Sequence, residues 1–240
     1  MNFVLIKQVD QQDIQSIHRV RSRVVKNRTA LIREIRCLLL GYGLIVAPGV
    51  TRVKHSLVAI IANRANELTP LSHDCMQDLF DELIEVEMRS KRLDKKIRQL
   101  CRQNDTCCRL LAIPGVGELT ATAMVAAVPN ANEFNNGRHH MAAWLGSVPR
   151  QSSSDNKQIL LGISKRGDRY LGTLLIHGAR SALSHYKNTD SDHGRWLNSK
   201  KEKLSFNKAA VALANKNARI IWSLLNTGKA FNCNNQMAAA

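Results

Sequence analysis

The sequence predicts a mainly α protein: a long helical hairpin or coiled coil, followed by a compact helical domain with a helix-hairpin-helix and a short loop or extended segment carrying serines. Three observations predict it. Apolar residues recur at helical spacing in one segment after another, the composition changes near Asn104-Asp105, and the apolar run Ile159-Leu160-Leu161 between turn signals reads as extended. The expected divisions are a helical linker and coiled-coil region over 1–104, a second domain over 105–229, and a disordered Asn- and Ala-rich tail over 230–240.

The first helix is expected over 11–42, where Ile14, Ile17, Val20, Val24, Leu31, Ile35 and Leu38 keep a helical period and Gly41 and Gly43 end it. Its other face carries Arg19, Arg21, Arg23, Lys26, Arg28, Arg33 and Arg36 against only Glu34, so it either lies along a phosphate backbone or keeps a soluble exterior. Pro48-Gly49 marks a turn, and a second helix is expected over 53–68. The third, over 71–103, has the cleanest period: Leu79, Leu83, Val86, Ser90, Leu93, Ile97 and Leu100 alternate spacings of four and three. That is the seam of a coiled coil or of an antiparallel hairpin. Its charges are segregated, acidic from Asp74 to Glu87 and basic from Arg89 to Arg102.

In the second domain the stretch LLAIPGVGELTATAMVAAV reads as a helix end, the turn Pro114-Gly115-Val116-Gly117 and a small-residue helix. Glycines at Gly115 and Gly117 let backbone approach a phosphate, and amides at the next helix start can donate to its oxygens. Without them the turn is an ordinary tight helical connection. Further helices are expected over 134–145, with Met141, Trp144 and Leu145 packing inward, and over 167–186, 193–203 and 206–225, the last closed by Gly228.

The chain has 240 residues, 44% of them hydrophobic, enough for a real core. Its 35 Lys and Arg face 19 Asp and Glu, for a formal charge of +16, which favours a polyanionic partner, with DNA first. The basic residues recur along the whole chain and no apolar run reaches the length of a spanning helix, so a membrane is not expected. The start MNFVLIKQVDQQD lacks a small-residue cleavage site, and the expected location is cytoplasmic. Cys37, Cys75, Cys101, Cys107, Cys108 and Cys233 form no C-x-x-C pair, and the neighbours His139-His140 point apart on a helix. Reduced, mostly buried thiols and no metal ligands are expected.

Between 144 and 167 runs WLGSVPRQSSSDNKQILLGISKRG. Ser152, Ser153 and Ser154 sit in a turn-prone loop with Arg150 and Lys157 beside them and Lys165 and Arg166 just beyond. This is a concentration of hydroxyls within reach of cations, and a place for a phosphate.

The ordered motifs IPGVG, AAWLGSVPRQSSSDNK, LLGISKRGDRYLGTLLIHGARSAL and ALANKNARIIWSLL make the second half resemble the C-terminal domain of the insertion-sequence transposases of the one-ten and eleven-eleven group, relatives of the Piv DNA invertase. The first half resembles that family's linker and coiled coil. The resemblance implies a DNA recombinase working with a structured guide RNA, in which a RuvC-like domain with four acidic magnesium ligands acts beside a serine that becomes covalently linked to DNA. Aligned on the family's Ser-Gly step, the nucleophile is Ser154, with Ser153 the fallback; Asp155 stands where the family has glycine. Asp10, Asp13, Glu34 and Glu67 lack the strand context of such a metal cluster, so the expectation is an N-terminally truncated member, incomplete as an enzyme, with magnesium ligands absent. Arg150, Lys157, Lys165 and Arg166 are expected to hold the scissile phosphate, with Gly115 and Gly117 on DNA backbone, and the heptads suggest a homo-oligomer.

Two competitors come from other classes. His177 and Arg180 fit the His-x-x-Arg part of a tyrosine recombinase pattern, but Tyr42, Tyr170 and Tyr186 supply no nucleophile well downstream of it. The alternative is a non-catalytic, sequence-independent nucleic-acid-binding protein using the helix-hairpin-helix and basic helices.

Overall fold

The computed structural model describes residues 7–134, 137–152, 159–164, 166–186 and 190–233. The protein is mainly α, as expected, with helices α1 (Val9–Gly41), α2 (Val50–Ala62), α3 (Pro70–Arg102), α4 (Asp105–Leu110), α5 (Glu118–Ala127), α6 (Gly137–Trp144), α7 (Arg169–His185), α8 (Asp192–Lys203) and α9 (Phe206–Thr227). Strands β1 (Pro149–Gln151) and β2 (Leu160–Ile163) pair antiparallel. The chain divides into two compact units, one of residues 16–96 and a larger one of residues 1–15 with 97–240.

The smaller unit is an antiparallel hairpin of α1 and α3 with α2 packed on it. Arg21 near the start of α1 pairs with Asp94 near the end of α3, whereas the Tyr42 hydroxyl lies 2.6 Å from Ser72 Oγ at the opposite end. Leu31, Ile35 and Leu39 of α1 close on Met76 and Leu83 of α3, with Val53 and Leu57 of α2 in the same core. The four-three seam therefore serves an intramolecular hairpin. Gly43 makes the turn after α1: it adopts φ 73°, and its amide and that of Leu44 bond back to the Leu40 and Leu39 carbonyls, satisfying the helix end. The second helix stops at Ala62, six residues short of the expected 68. Asn63 and Asn66 stop it, since Asn63 Oδ1 accepts from Ala65 N and Asn66 Oδ1 from Leu68 N, local bonds that compete with a helical ladder.

The larger unit is built on α9, whose Ala209, Ala210, Leu213, Ala214, Ala218 and Ile221 are buried against α4–α7. Small residues let helices approach closely. Gln11 and Gln15 of α1 donate to the Val125 and Ala126 carbonyls at the end of α5, which ties the first turns of α1 to this unit. Trp222 Nε1 donates to Ala131 O, fixing the short 3-10 turn Ala131–Glu133, and α6 begins at Gly137, three residues later than the expected 134. Met141 and Leu145 are buried as expected, but Trp144 is not; it lies on the surface edge-on to Phe134 at 5.7 Å.

The expectation of mostly buried thiols fails. Only Cys101 and Cys107 are buried, Cys37, Cys75 and Cys108 are exposed, and none of the six forms a disulfide among the described residues. Their helices show why: Cys37 and Cys75 fall outside the hairpin seam. Burial pushes the Cys107 thiol up to about 12, which leaves it unreactive.

Candidate nucleic-acid interface

Helix α6 ends in a glycine turn that aims the chain into the serine hairpin. Gly146 takes φ 67°, its amide bonds to Ala143 O at 2.8 Å, and the Ser147 amide reaches back to Ala142 O at 3.1 Å. This pair of bonds satisfies the last carbonyls of the helix. Ser147 is buried, and its hydroxyl donates to the same Ala142 carbonyl at 3.0 Å. From α9, Asn215 Nδ2 donates to Ser147 O at 3.0 Å, so the hairpin root is held by side chain as well as backbone.

The two strands then leave the body together. Pro149 stands opposite Ile163 and Gln151 opposite Leu160, with a register irregularity between the two pairs. Bonds beyond both ends, Ser164 N to Val148 O at 2.8 Å and Ser152 N to Ile159 O at 2.9 Å, extend the ladder. An extended segment was legible from Ile159-Leu160-Leu161, but its pairing with the preceding strand was not. Ser152 and all of β1 are solvent-exposed. The serines Ser153 and Ser154, the departure at Asp155, and the cations Lys157 and Lys165 lie outside the described residues.

The exit from the hairpin returns to its entrance. A methyl group on Gly167 would overlap the Trp144 carbonyl oxygen and the backbone of Leu145, so only glycine permits this approach. Asp168 follows as the N-cap of α7, accepting from Tyr170 N at 2.8 Å and Leu171 N at 3.0 Å. Arg150 on β1, Arg166 at the exit and Arg169 in the first turn of α7 are all exposed, so three of the chain's cations stand at the strands and their root. A cavity of about 480 Å³ opens beside this root, lined by Leu145, Ser147, Ile163, Gly167, Gly172 and Ala214 among others.

The PGVG turn connects α4 to α5, and its two glycines differ. Gly115, at φ 87°, backs directly onto α7; a methyl on it would lie 2.7 Å from Gly178 O, and one on Gly178 would overlap Gly115 O. Gly115 is thus explained by close packing of the turn against a helix. Gly117 is exposed with open space where a side chain would be, at the N-cap of α5. Glu118 places a carboxylate in that helix's first turn, where it already complements the helix dipole. Asn217 Nδ2 donates to Pro114 O at 2.8 Å.

Asn215 and Asn217 thus hold both loops from one turn of α9, and sequence reasoning missed them. Their signal was two asparagines within the alanine-rich ALANKNAR segment, Asn217 falling on the helix face that otherwise buries apolar groups. Asn217 is fully buried and its Oδ1 has no partner. Between them Lys216 points elsewhere, 4.0 Å over the Trp196 ring, and burial together with the nearby Arg219 charge brings its pKa down to about 8. His177 is exposed on α7, and Arg180 lies over the Phe206 ring at 5.6 Å, packed as a surface cation rather than aimed at a tyrosine. Among the described residues no group of three His, Cys, Asp or Glu side chains is placed to hold a metal ion. No helix among them is long and apolar enough to cross a membrane.

Comparison with known proteins assigns relatives to this arrangement. Residues 107–194, which include the PGVG turn, the hairpin and α7, match the family described as Transposase IS116/IS110/IS902. The chain is 45% identical over 233 residues to the transposase for insertion sequence element IS1111A of Coxiella burnetii, covering 97% of this chain and 64% of that protein. It is 44% identical over 226 residues to a probable family 20 transposase of Pseudomonas aeruginosa, covering 94% and 67%. With the transposase for insertion sequence element IS1328 of Yersinia enterocolitica it shares 30% identity over 231 residues, covering 96% and 68%. The chain therefore spans about two thirds of the length of these relatives.

Proposed function

This chain belongs to the IS116/IS110/IS902 transposase family, and we propose that its larger unit is the strand-gripping part of a DNA transposase, presenting a serine to a DNA phosphodiester. Ser154 is the nucleophile, with Ser153 the fallback. One observation carries the reading: the serine hairpin leaves and re-enters the body at a single rigid root, made by the contact of Gly167 with Trp144 and Leu145 and by the Asn215 bond to Ser147, with exposed arginines around it. Such a root fixes the two strands between which the serines lie in the chain, and β1 and Ser152 are exposed. A buried serine could not meet a DNA strand.

In the proposed reaction the serine Oγ forms a bond to phosphorus, one phosphorus–oxygen ester bond to deoxyribose breaks, and the departing oxygen takes up a proton. The protein remains joined to DNA through a phosphoserine ester. Arg150 and Arg166, with Lys157 and Lys165, neutralise charge on the non-bridging oxygens. Gly117, not Gly115, is exposed with open space beside its Cα and suits contact with a neighbouring phosphate. The described residues do not fit a magnesium centre, so no step is assigned to a metal within them. Metal-binding carboxylates and a structured guide RNA are expected as contributions from outside this unit.

The second reading, a nucleic-acid-binding protein without catalysis, is favoured by the exposed basic residues of α1, which need no serine. A trapped adduct separates the two. The protein, supplied with the acidic domain of a longer relative, magnesium, guide RNA and labelled DNA, is expected to form a denaturation-resistant protein–DNA species. That species disappears in Ser154→Ala and persists in Tyr170→Phe. An adduct that survives both Ser154→Ala and Ser153→Ala removes the serine assignment, and salt-sensitive binding without any adduct favours the second reading.

A further inference from the structure

The cavity beside the hairpin root takes no part in the serine chemistry, and its walls are of two kinds. One is apolar: Leu145 after α6, Ile163 on β2, Leu175 and Ile176 on α7, and Ala214 on α9. The other is a polar edge at the start of α7, where Asp168, Arg169 and Thr173 are all exposed. Every one of these residues belongs to the larger unit. The room comes from missing side chains, since Gly146, Gly167 and Gly172 line the cavity with backbone. At about 480 Å³ it falls within the roughly 300–1,000 Å³ of small-molecule sites, in a body packed closely enough elsewhere for backbone to touch backbone.

We propose that this cavity receives one unstacked base of the DNA strand whose phosphate the serine hairpin addresses. The inference rests on the transposase reading and deepens it, from a phosphate to the nucleoside beside it. A nucleobase has two apolar faces and a rim of donors and acceptors, the same division as the walls. Leu145, Ile163 and Ile176 suit its faces. On the polar edge, both cap bonds of Asp168 run to Oδ1, and Oδ2 can accept from a ring or amino N–H. Thr173 Oγ1 donates to Arg169 O at 2.7 Å and keeps its lone pairs as acceptors, while the Arg169 guanidinium is a donor. A lipid chain or an aliphatic side chain would leave this edge unpaired. Charge outside the cavity also matches a strand: Arg166 precedes Gly167 of the lining, Arg150 follows Pro149, which pairs with Ile163 of the lining, and both arginines are exposed. A base entering here brings its own two phosphates towards these cations. Extruding a base costs stacking and pairing, least where the base is already mismatched, so a pocket that holds one should prefer mismatched DNA.

The test uses the full chain with Ser154→Ala, so that binding is read without cleavage. The probes are two duplex oligonucleotides carrying 2-aminopurine, paired with thymine in one and mismatched with adenine in the other. At low salt the mismatched duplex is expected to bind about fivefold or more tightly. Its fluorescence should rise severalfold on binding, because none of the described lining residues is aromatic and nothing stacks on the inserted ring. Adding Thr173→Phe, which sets a ring across the mouth from an exposed position, should abolish the preference and the rise while leaving affinity for the matched duplex within about twofold. If that variant is unfolded, as read by tryptophan fluorescence, Thr173→Leu should still halve the preference. Equal affinity for the two duplexes, no rise in fluorescence, or a folded Thr173→Phe chain that behaves as its parent would overturn the proposal. So would a Thr173→Phe chain that loses both duplexes equally, which marks the cavity edge as a backbone or protein contact, and so would a chain that binds neither duplex. A covalent adduct of the Ser154 chain without mismatch preference removes the pocket and leaves the serine reading standing; preference without an adduct does the reverse.

Discussion

The hairpin of α1 and α3 and the body built on α9 are both helical, yet they are held together in different ways. In the hairpin, leucine, isoleucine and valine side chains fill the space between helices. In the body, alanines line α9 and backbone meets backbone: Gly115 lies against Gly178, and Gly167 against the end of α6. A side-chain seam tolerates adjustment, because a shortened side chain leaves a void that neighbours partly fill. A backbone contact does not, because added atoms have nowhere to go. The difference also assigns work. The adaptable unit carries the exposed basic residues of α1, and the rigid one fixes the root of the serine hairpin.

Substitutions can break this contrast, and all three tryptophans (Trp144, Trp196 and Trp222) lie in the larger unit, so their fluorescence reads that unit alone. The largest effect is expected from Gly178→Val. Its side chain would overlap Gly115 O, and the body should lose about 3 kcal/mol or more, seen as an early fluorescence transition in denaturant. Leu83→Ala, at a fully buried hairpin position, should lower stability by about 3 kcal/mol in amide exchange across residues 16–96 while leaving the tryptophan transition in place. If Gly178→Val proves milder than Leu83→Ala, the contrast between the units is wrong.

Acid should act on both units. His18 in the hairpin and His193 in the body each have a pKa lowered to about 4, chiefly because burial disfavours the charged ring, with Arg21 adding to the effect on His18 and Lys216 to that on His193. The unfolded chain takes up these protons near pH 6.5, whereas the folded one resists them until about pH 4. The stability they support is present above pH 6.5 and is lost as pH falls through that window, by about 2 kcal/mol per histidine at pH 5. The tryptophan-monitored denaturation midpoint should therefore drop from pH 7 to pH 5, and His193→Phe should flatten the drop. The smallest effect is expected from Asp168→Ala, which removes the cap of α7 and should cost about 1 kcal/mol in the tryptophan transition.

The same contrast governs what could be read from the chain beforehand. The seam from Leu79 to Leu100 announced α3 because a heptad is written in residue types, and Gly41 with Gly43 announced the end of α1. The early stop of α2 was hidden in the asparagines at 63 and 66, whose effect depends on bonds to their own neighbours. At the candidate site, Arg150 and Arg166 are exposed. Gly115 was assigned to phosphate because a glycine's spelling is the same whether it faces a ligand or a helix. The parts played by Asn215 and Asn217 could not be anticipated, since each grips a carbonyl far away in sequence. Long-range backbone bonds leave no periodic trace.

The contact of Gly167 with Leu145 means that the serine-bearing segment begins and ends at nearly one point in space. The entropy of closing such a segment grows only slowly with its length, so residues could be added or removed between these two points at small thermodynamic expense, with α6, α7 and α9 undisturbed. The hairpin behaves in this respect as an exchangeable cassette. A longer or shorter segment could stand here without redesigning the fold.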